Sequence, residues 1–487
     1  MELKILAKNT IVLASPKVFK FFVGILRSKL IAVFLGTTGV GVINQLQTII
    51  RQFSAFTLSS LPDGIVKLIA KENSLNSDKK VISSIIKTYM LMILPTTLIV
   101  TILGYTFSKE ITLFVFGEIK YELYFQIGFS ALPISILSSS AFALLKAYKK
   151  IKSIALAEIL IIVINLFIFI PLIYFYKITG GVIYVALSYL VTFIIYRYFA
   201  KKDILKIISI TYYDIRKSKS KNKYFKELLG FMGIGLFLGT YMIFVELYTR
   251  SILINELGID KIGIYTPILA WAGLFVGFIL PSLKTYLFPR ISEAKSDIEI
   301  TALVNDVIRL MTFITLPFII IGISIRHWIL PLFYSKDFIE AAIYLPYHFS
   351  ALLFIIWTYA FVQIFAPTGR LKHLFVFAMI HHTLALAIAY FLIPKFGLYG
   401  YMAKFIIPSI ISTFIYFIFF IYAIRFKLKS ENIKLIIFSL FCITVLLILQ
   451  NSQMYLFYTS LIFLLALILL LKKQERLFIL NKIKRNN

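Results

Sequence analysis

Apolar blocks about twenty residues long alternate along this chain with short polar turns. The stretches 154–176 and 405–422 are representative, and roughly 20 helical residues cross the hydrocarbon core of a bilayer. The period-two alternation of a strand does not occur, so helices and not a barrel must satisfy the backbone inside lipid. The blocks predict transmembrane helices over 11–35, 40–66, 85–106, 121–145, 154–176, 181–200, 228–254, 262–284, 304–325, 341–365, 371–393, 398–424, 433–450 and 455–471. Turn signals separate several of them: Gly36-Thr37-Thr38-Gly39, Gly180-Gly181, Pro367-Thr368-Gly369 and Pro394-Lys395-Phe396-Gly397.

Composition agrees with the pattern. Hydrophobic residues make up 60% of the chain and charged residues 15%, with a mean hydropathy of +0.91, whereas a soluble domain carries about 25% charged residues. The net charge of +29 would invite nucleic acid, but the basic residues sit in short loops between spans, where they encode topology. With both termini on one side, that side receives 37 Lys and Arg and the opposite side 8. The ratio predicts cytoplasmic termini and an even number of helices. The lone cysteine, Cys442, excludes a disulfide framework or cysteine metal site within one chain. Lys4, Lys8, Lys17 and Lys20 interrupt what would be the apolar core of a cleavable signal peptide.

The segment 201–227, with the run Arg216-Lys217-Ser218-Lys219-Ser220-Lys221-Asn222-Lys223, is too charged to pack and is expected to link two lobes. The halves on either side repeat each other. Leu35-Gly36 and Leu257-Gly258 close a first span 222 residues apart, and Gly41 and Gly263 follow at the same offset. Lys152 and Lys372 open the fifth spans, and Lys177 and Lys395 precede the sixth. Six spans per half is an even number, so the repeats run parallel about an axis along the membrane normal. The expected architecture is an all-α membrane protein of about fourteen transmembrane helices, with two parallel six-helix lobes around a central cavity and a trailing helix pair. In residues this is a first lobe over 1–200, the linker, a second lobe over 228–425, and two extra helices with a basic tail over 426–487.

This layout resembles the multidrug/oligosaccharidyl-lipid/polysaccharide (MOP) exporter superfamily. The opening Arg27-Ser28-Lys29-Leu30-Ile31-Ala32-Val33-Phe34-Leu35-Gly36, followed by Gly39-Val40-Gly41, is similar to the first-helix signature of its polysaccharide-exporter branch, above all the O-antigen flippases (Wzx type). The resemblance implies a bacterial inner-membrane transporter, without cofactor, that turns over undecaprenyl-diphosphate-linked oligosaccharide units from the cytoplasmic to the periplasmic leaflet. It also implies a polysaccharide polymerase and a chain-length regulator as partners, besides membrane lipids.

Charge inside a membrane is costly, roughly 2.5–3.5 kcal/mol at a helix centre on insertion scales, and marks candidate sites. Lys17, Lys20 and Arg27 fall within about 80° of one another on a helix, a stripe that suits water better than lipid. Arg51 adds a cation in the second span, and Arg250 stands at the position equivalent to Ser28. Guanidinium forks match phosphate oxygens, so the expected diphosphate site is Arg27, Arg51, Arg250, Lys17 and Lys20. In the related lipid II flippases, arginines of the first two spans line the cavity, a role the resemblance carries to Arg27 and Arg51; Ser28 stands where those proteins place an acid. The intramembrane acids Glu246, Asp63 and Glu158 are candidates for ion coupling or ion pairing, and Glu246 with Arg250 has the i,i+4 spacing of a salt bridge. His381-His382 point about 100° apart and cannot chelate one metal well; no metal site is expected. A multidrug exporter of the same superfamily would call for acids where this chain places Lys and Arg. A polysaccharide polymerase would call for a large external loop, whereas the stretch 326–345 is short and apolar.

Overall fold

The computed structural model describes residues 2–58, 61–74, 79–205, 212–218 and 222–471, and among these it is helical with no strand. The helices are α1 (Glu2–Leu58), α2 (Leu61–Ser74), α3 (Lys79–Thr106), α4 (Ser108–Phe116), α5 (Glu122–Phe129), α6 (Ala131–Ala147), α7 (Ile151–Ala200), α8 (Tyr212–Lys217) and α9 (Asn222–Leu257). They continue with α10 (Ile259–Glu293), α11 (Asp297–Ser324), α12 (Arg326–Phe333), α13 (Ala341–Phe365), α14 (Leu371–Phe396), α15 (Leu398–Ile424), α16 (Ser430–Leu449) and α17 (Gln453–Leu469).

Two of these are double spans. The backbone of α1 breaks at Gly36 (φ 63°, ψ −166°) and that of α7 at Lys177 (φ 52°, ψ −130°), the places where the sequence puts turns. Each half of these long helices makes one crossing. With α5 and α6 taken together and α3, α9, α10, α11 and α13–α17 added singly, the described residues supply helices for about fourteen transmembrane passes. Proline also marks a departure from an expected span. The expected fourth span is α5 and α6 meeting at Ser130, with Pro133 in the first turn of α6.

The chain forms two compact units. Unit 1 takes residues 1–266 and 333–335, and unit 2 takes 267–332 and 336–487, so the division falls inside α10 at Pro267. In unit 1, α7 packs along α1 and α6, while α2 lies on α6 and α9. Phe169, Ile173 and Tyr184 of α7 form a buried cluster against Leu30, Ile31, Phe34 and Leu35 of α1. Near these, α1 crosses α10 where a side chain on Gly41 would collide with the Ile259 carbonyl and one on Gly263 with the Thr37 carbonyl. The two contacts are images of each other, since Thr37 and Gly41 stand 222 residues before Ile259 and Gly263.

Other landmarks repeat as well. Gly36 and Gly258 both have positive φ, as do Lys149 and Gly369, and Lys177 and Gly397. The last pairing shows that the break before the sixth span matches Lys177 to Gly397 rather than to Lys395, two residues from the sequence register. Gly180 abuts the Leu172 carbonyl as Gly400 abuts that of Leu392, and Phe129 covers Gly104 as Phe349 covers Gly322.

In unit 2, α13 packs between α11 and α15, and α14 lies along α15. The trailing pair α16–α17 is fastened to α11 and α12 by buried polar groups. Asn305 donates to the Lys427 carbonyl at 2.9 Å and accepts from the Lys429 N–H at 2.9 Å and from Asn432 Nδ2 at 3.0 Å. Arg326 reaches the Gln450 carbonyl at 2.6 Å and Arg309 the Leu470 carbonyl at 2.9 Å. Ser324 donates to Ser460 at 2.6 Å.

Candidate functional site

The first half of α1 brings Arg27 against the second half of α7. Its Nη1 donates to the Tyr184 hydroxyl at 3.1 Å, and its guanidinium carbon lies 5.9 Å from the centre of that ring. Tyr184 is 4% exposed and is held by Phe169, whose ring centroid is 4.9 Å away. The apolar cluster thus fixes the tyrosine, and the tyrosine fixes the arginine. Arg27 Nε is buried without a partner, leaving part of the fork's donor capacity unspent in a place where an unmade bond is costly. Next along α1, Ser28 shares a hydrogen bond with Tyr334, which is 3% exposed and lies within electrostatic reach of Arg27.

Arg51, one span on, is exposed and donates to Thr48 at 3.3 Å. Tyr189 of α7 is within electrostatic reach of both Arg51 and Arg27, so these two arginines have Tyr189 as a common neighbour. Arg51 is in turn within reach of Arg250 and Glu246.

Arg250 stands differently. It is 3% exposed; its Nε meets Glu246 Oε1 at 2.6 Å, and its Nη1 donates to Asn44 Oδ1 at 2.9 Å and Gln45 Oε1 at 3.2 Å. Gln45 passes the network on to the Val115 carbonyl at 2.8 Å. The i,i+4 ion pair legible in the sequence is formed, and it buries Arg250 inside a fastening between α1, α4 and α9. Lys20 is exposed; the side chain of Lys17 lies outside the described residues. Among the acids, Asp63 is exposed in the first turn of α2 and Glu158 is half-buried on α7, within reach of Tyr196. Neither Asp63 nor Glu158 is brought to the arginines by a described contact, and no three metal-ligating side chains converge among the described residues.

Sequence reasoning passed over the tyrosines and amides that complete the cluster. Tyr184, Tyr189 and Tyr334 are three among 29 tyrosines, with nothing in their spacing to mark them. Asn44-Gln45 did carry a signal, being adjacent amides within a predicted span. In unit 2, Lys404 is 4% exposed, with its Nζ 4.4 Å from the Tyr401 ring centre and 4.7 Å from that of Phe405. His348, 4% exposed, packs edge-on to Phe405 at 5.0 Å. His381 shares a 2.8 Å hydrogen bond with Ser412.

The profile of the polysaccharide biosynthesis protein family matches residues 6–295. A Shigella flexneri protein named as an O-antigen transporter is 29% identical over 190 residues, a match that spans 37% of this chain and 43% of that protein. Among solved structures, an inward-facing multidrug resistance MATE family transporter of the MOP superfamily superposes with a TM-score of 0.73 at 14% identity, over 85% of this chain and 98% of that one. The lipid II flippase MurJ, in an inward closed conformation, superposes with a TM-score of 0.69 at 16% identity, over 94% of this chain and 98% of its own. At such identities these structures speak for the fold. The matched family profile covers more than half of the sequence, and with it the chain belongs to the polysaccharide biosynthesis protein family, with a fold shared by the MOP-superfamily structures.

Proposed function

We propose that the protein is a flippase that moves undecaprenyl-diphosphate-linked oligosaccharide units, of O-antigen or a related surface polysaccharide, from the cytoplasmic to the periplasmic leaflet of the bacterial inner membrane by alternating access. The observation that carries this reading is that Arg27, bonded to Tyr184, and Arg51 both lie within electrostatic reach of Tyr189. A diphosphate diester carries two negative charges and a row of oxygens without hydrogens. Two guanidinium groups supply two matching charges and forked donors. The Shigella O-antigen transporter and the lipid II flippase support the substrate class, and the basic-loop ratio of 37 to 8 supports cytoplasmic termini. Lys20, exposed on the same face of α1 as Arg27, would meet the diphosphate before it reaches the arginines.

Glu246 is engaged by Arg250 in this reading and serves as a structural partner, not as a coupling site. Energy then comes from the membrane itself. Carrying negative charge out of an inside-negative cell is downhill by about 2.3 kcal/mol per charge per 100 mV. The lipid-linked unit delivered to the far leaflet is the form a periplasmic polymerase, with its chain-length regulator, would consume.

The test is translocation of a radiolabelled polyprenyl-diphosphate oligosaccharide across proteoliposomes by wild type, Arg27→Gln, Arg51→Gln and the two Lys replacements. The Gln proteins should fold and lose translocation at least tenfold, with Arg27→Lys recovering part. Wild type that moves cationic dyes and leaves the glycolipid in place would transfer the assignment to drug export.

A further inference from the structure

The second half of α7 ends in a change of helix type. It is α-helical to Ala200, and at Lys201–Leu205 its ladder widens into a π turn, a rare form often found at functional sites. Beside it, Phe193, Ile194, Arg197, Tyr198 and Lys201, all from this one helix, line a shallow, open groove. The lining has two characters. Ile194 and Tyr198 are 55% and 58% exposed although they belong to a membrane-spanning helix, so hydrocarbon is the medium that covers them. Arg197 and Lys201 of the groove and the adjoining Lys202 are exposed cations. Rings steer two of these groups: the Arg197 guanidinium lies 5.8 Å from the Phe193 ring centre, and the Lys202 ammonium 6.0 Å from that of Tyr198. Asp203 is the one carboxylate of the turn, which leaves an excess of positive charge.

We propose that this groove binds the headgroup of an anionic phospholipid. Arg197, Lys201 and Lys202 hold its phosphate, and its acyl chain lies along Ile194 and Tyr198. The pairing of cations with exposed apolar side chains in one groove selects an amphiphile. A free phosphate would leave Ile194 and Tyr198 uncovered, and a neutral lipid would leave the cations unmatched. Charged groups of this kind near a bilayer surface attract acidic headgroups and discriminate against zwitterionic ones. The assignment is independent of what the protein transports.

Native mass spectrometry of the purified full chain tests it, with phosphatidylglycerol and phosphatidylcholine titrated separately. Wild type should retain phosphatidylglycerol in preference to phosphatidylcholine. The Arg197→Gln/Lys201→Gln/Lys202→Gln protein should bind phosphatidylglycerol roughly a hundredfold more weakly. A matched control that removes Arg425, Lys427 and Lys434, all exposed, should bind like wild type. If the triple variant is unstable, Arg197→Gln and Lys201→Gln, each expected to lose roughly fivefold, carry the test. Equal retention of the two lipids by wild type, or a triple variant indistinguishable from its control, overturns the proposal. So does capture of undecaprenyl diphosphate without capture of phosphatidylglycerol, which would make the groove a substrate entrance.

Discussion

Replacing Glu246 by Gln should destabilise the protein more than it harms transport. Arg250 is 3% exposed and distributes its donors over Glu246 at 2.6 Å, Asn44 at 2.9 Å and Gln45 at 3.2 Å. Breaking a buried ion pair from one side typically costs about 3–5 kcal/mol, because the surviving charge is left uncompensated. Two features reduce that here. The Glu246 side chain is 27% exposed, so water already shares its charge, and the two amide oxygens remain as acceptors for Arg250. A cost of about 2–3 kcal/mol remains, and at roughly 2–4 °C per kcal/mol for a unit of this size the melting temperature should fall by about 5–10 °C. Heating the detergent-solubilised protein and following the monodisperse fraction measures the shift. The double variant Glu246→Leu/Arg250→Met should recover most of the loss, since it removes both charges together. The reasoning is refuted if Glu246→Gln melts with wild type yet no longer transports: the carboxylate would then be acting in ion coupling, and its contact with Arg250 would be incidental.

Three further outcomes follow from the packing. Gly263→Ala should cost about 1–3 kcal/mol, because its new methyl meets the Thr37 carbonyl; a melting temperature equal to wild type would mean that the α1–α10 crossing gives way freely. Lys177→Gly should gain about 1 kcal/mol by releasing a lysine from φ 52°, ψ −130°, a gain read as a rise of a few degrees. Cys442 is 0% exposed, so a maleimide should leave the native protein unlabelled and react only as α16 opens, with a midpoint that tracks global melting.

The spans, the interruptions at Gly36 and Lys177 and the repeat were legible because each rests on local chemistry: apolar length, turn residues and spacing. The register of the repeat near Lys395 was off by two residues, since lysine identity was followed where backbone conformation decides, and Gly397 carries the positive φ. The candidate site was legible in its charges and opaque in its neutral members. A cation in an apolar run stands out, so Arg27, Arg51 and Arg250 were all found. The bond of Arg250 to Glu246 was legible in their spacing, but its further partners Asn44 and Gln45 stand some 205 residues away, and no pattern in one sequence records that pairing. Tyr334 was hidden for the same reason: it meets Ser28 from a part of the chain far away in sequence.

At the α1–α10 crossing, each glycine presses on the carbonyl that stands, in the other repeat, where its own repeat's carbonyl stands. That reciprocity is the mark of an isologous interface, in which one patch meets a copy of itself. A single polypeptide has no need of it. It is the geometry that joining two copies of one two-fold pair into a single chain would produce. Drift at this seam is constrained on both sides at once. A bulkier residue on one strand of the fusion can be tolerated only if the other withdraws, so Gly41 and Gly263 should change together or not at all, even in relatives whose two halves have otherwise lost all likeness.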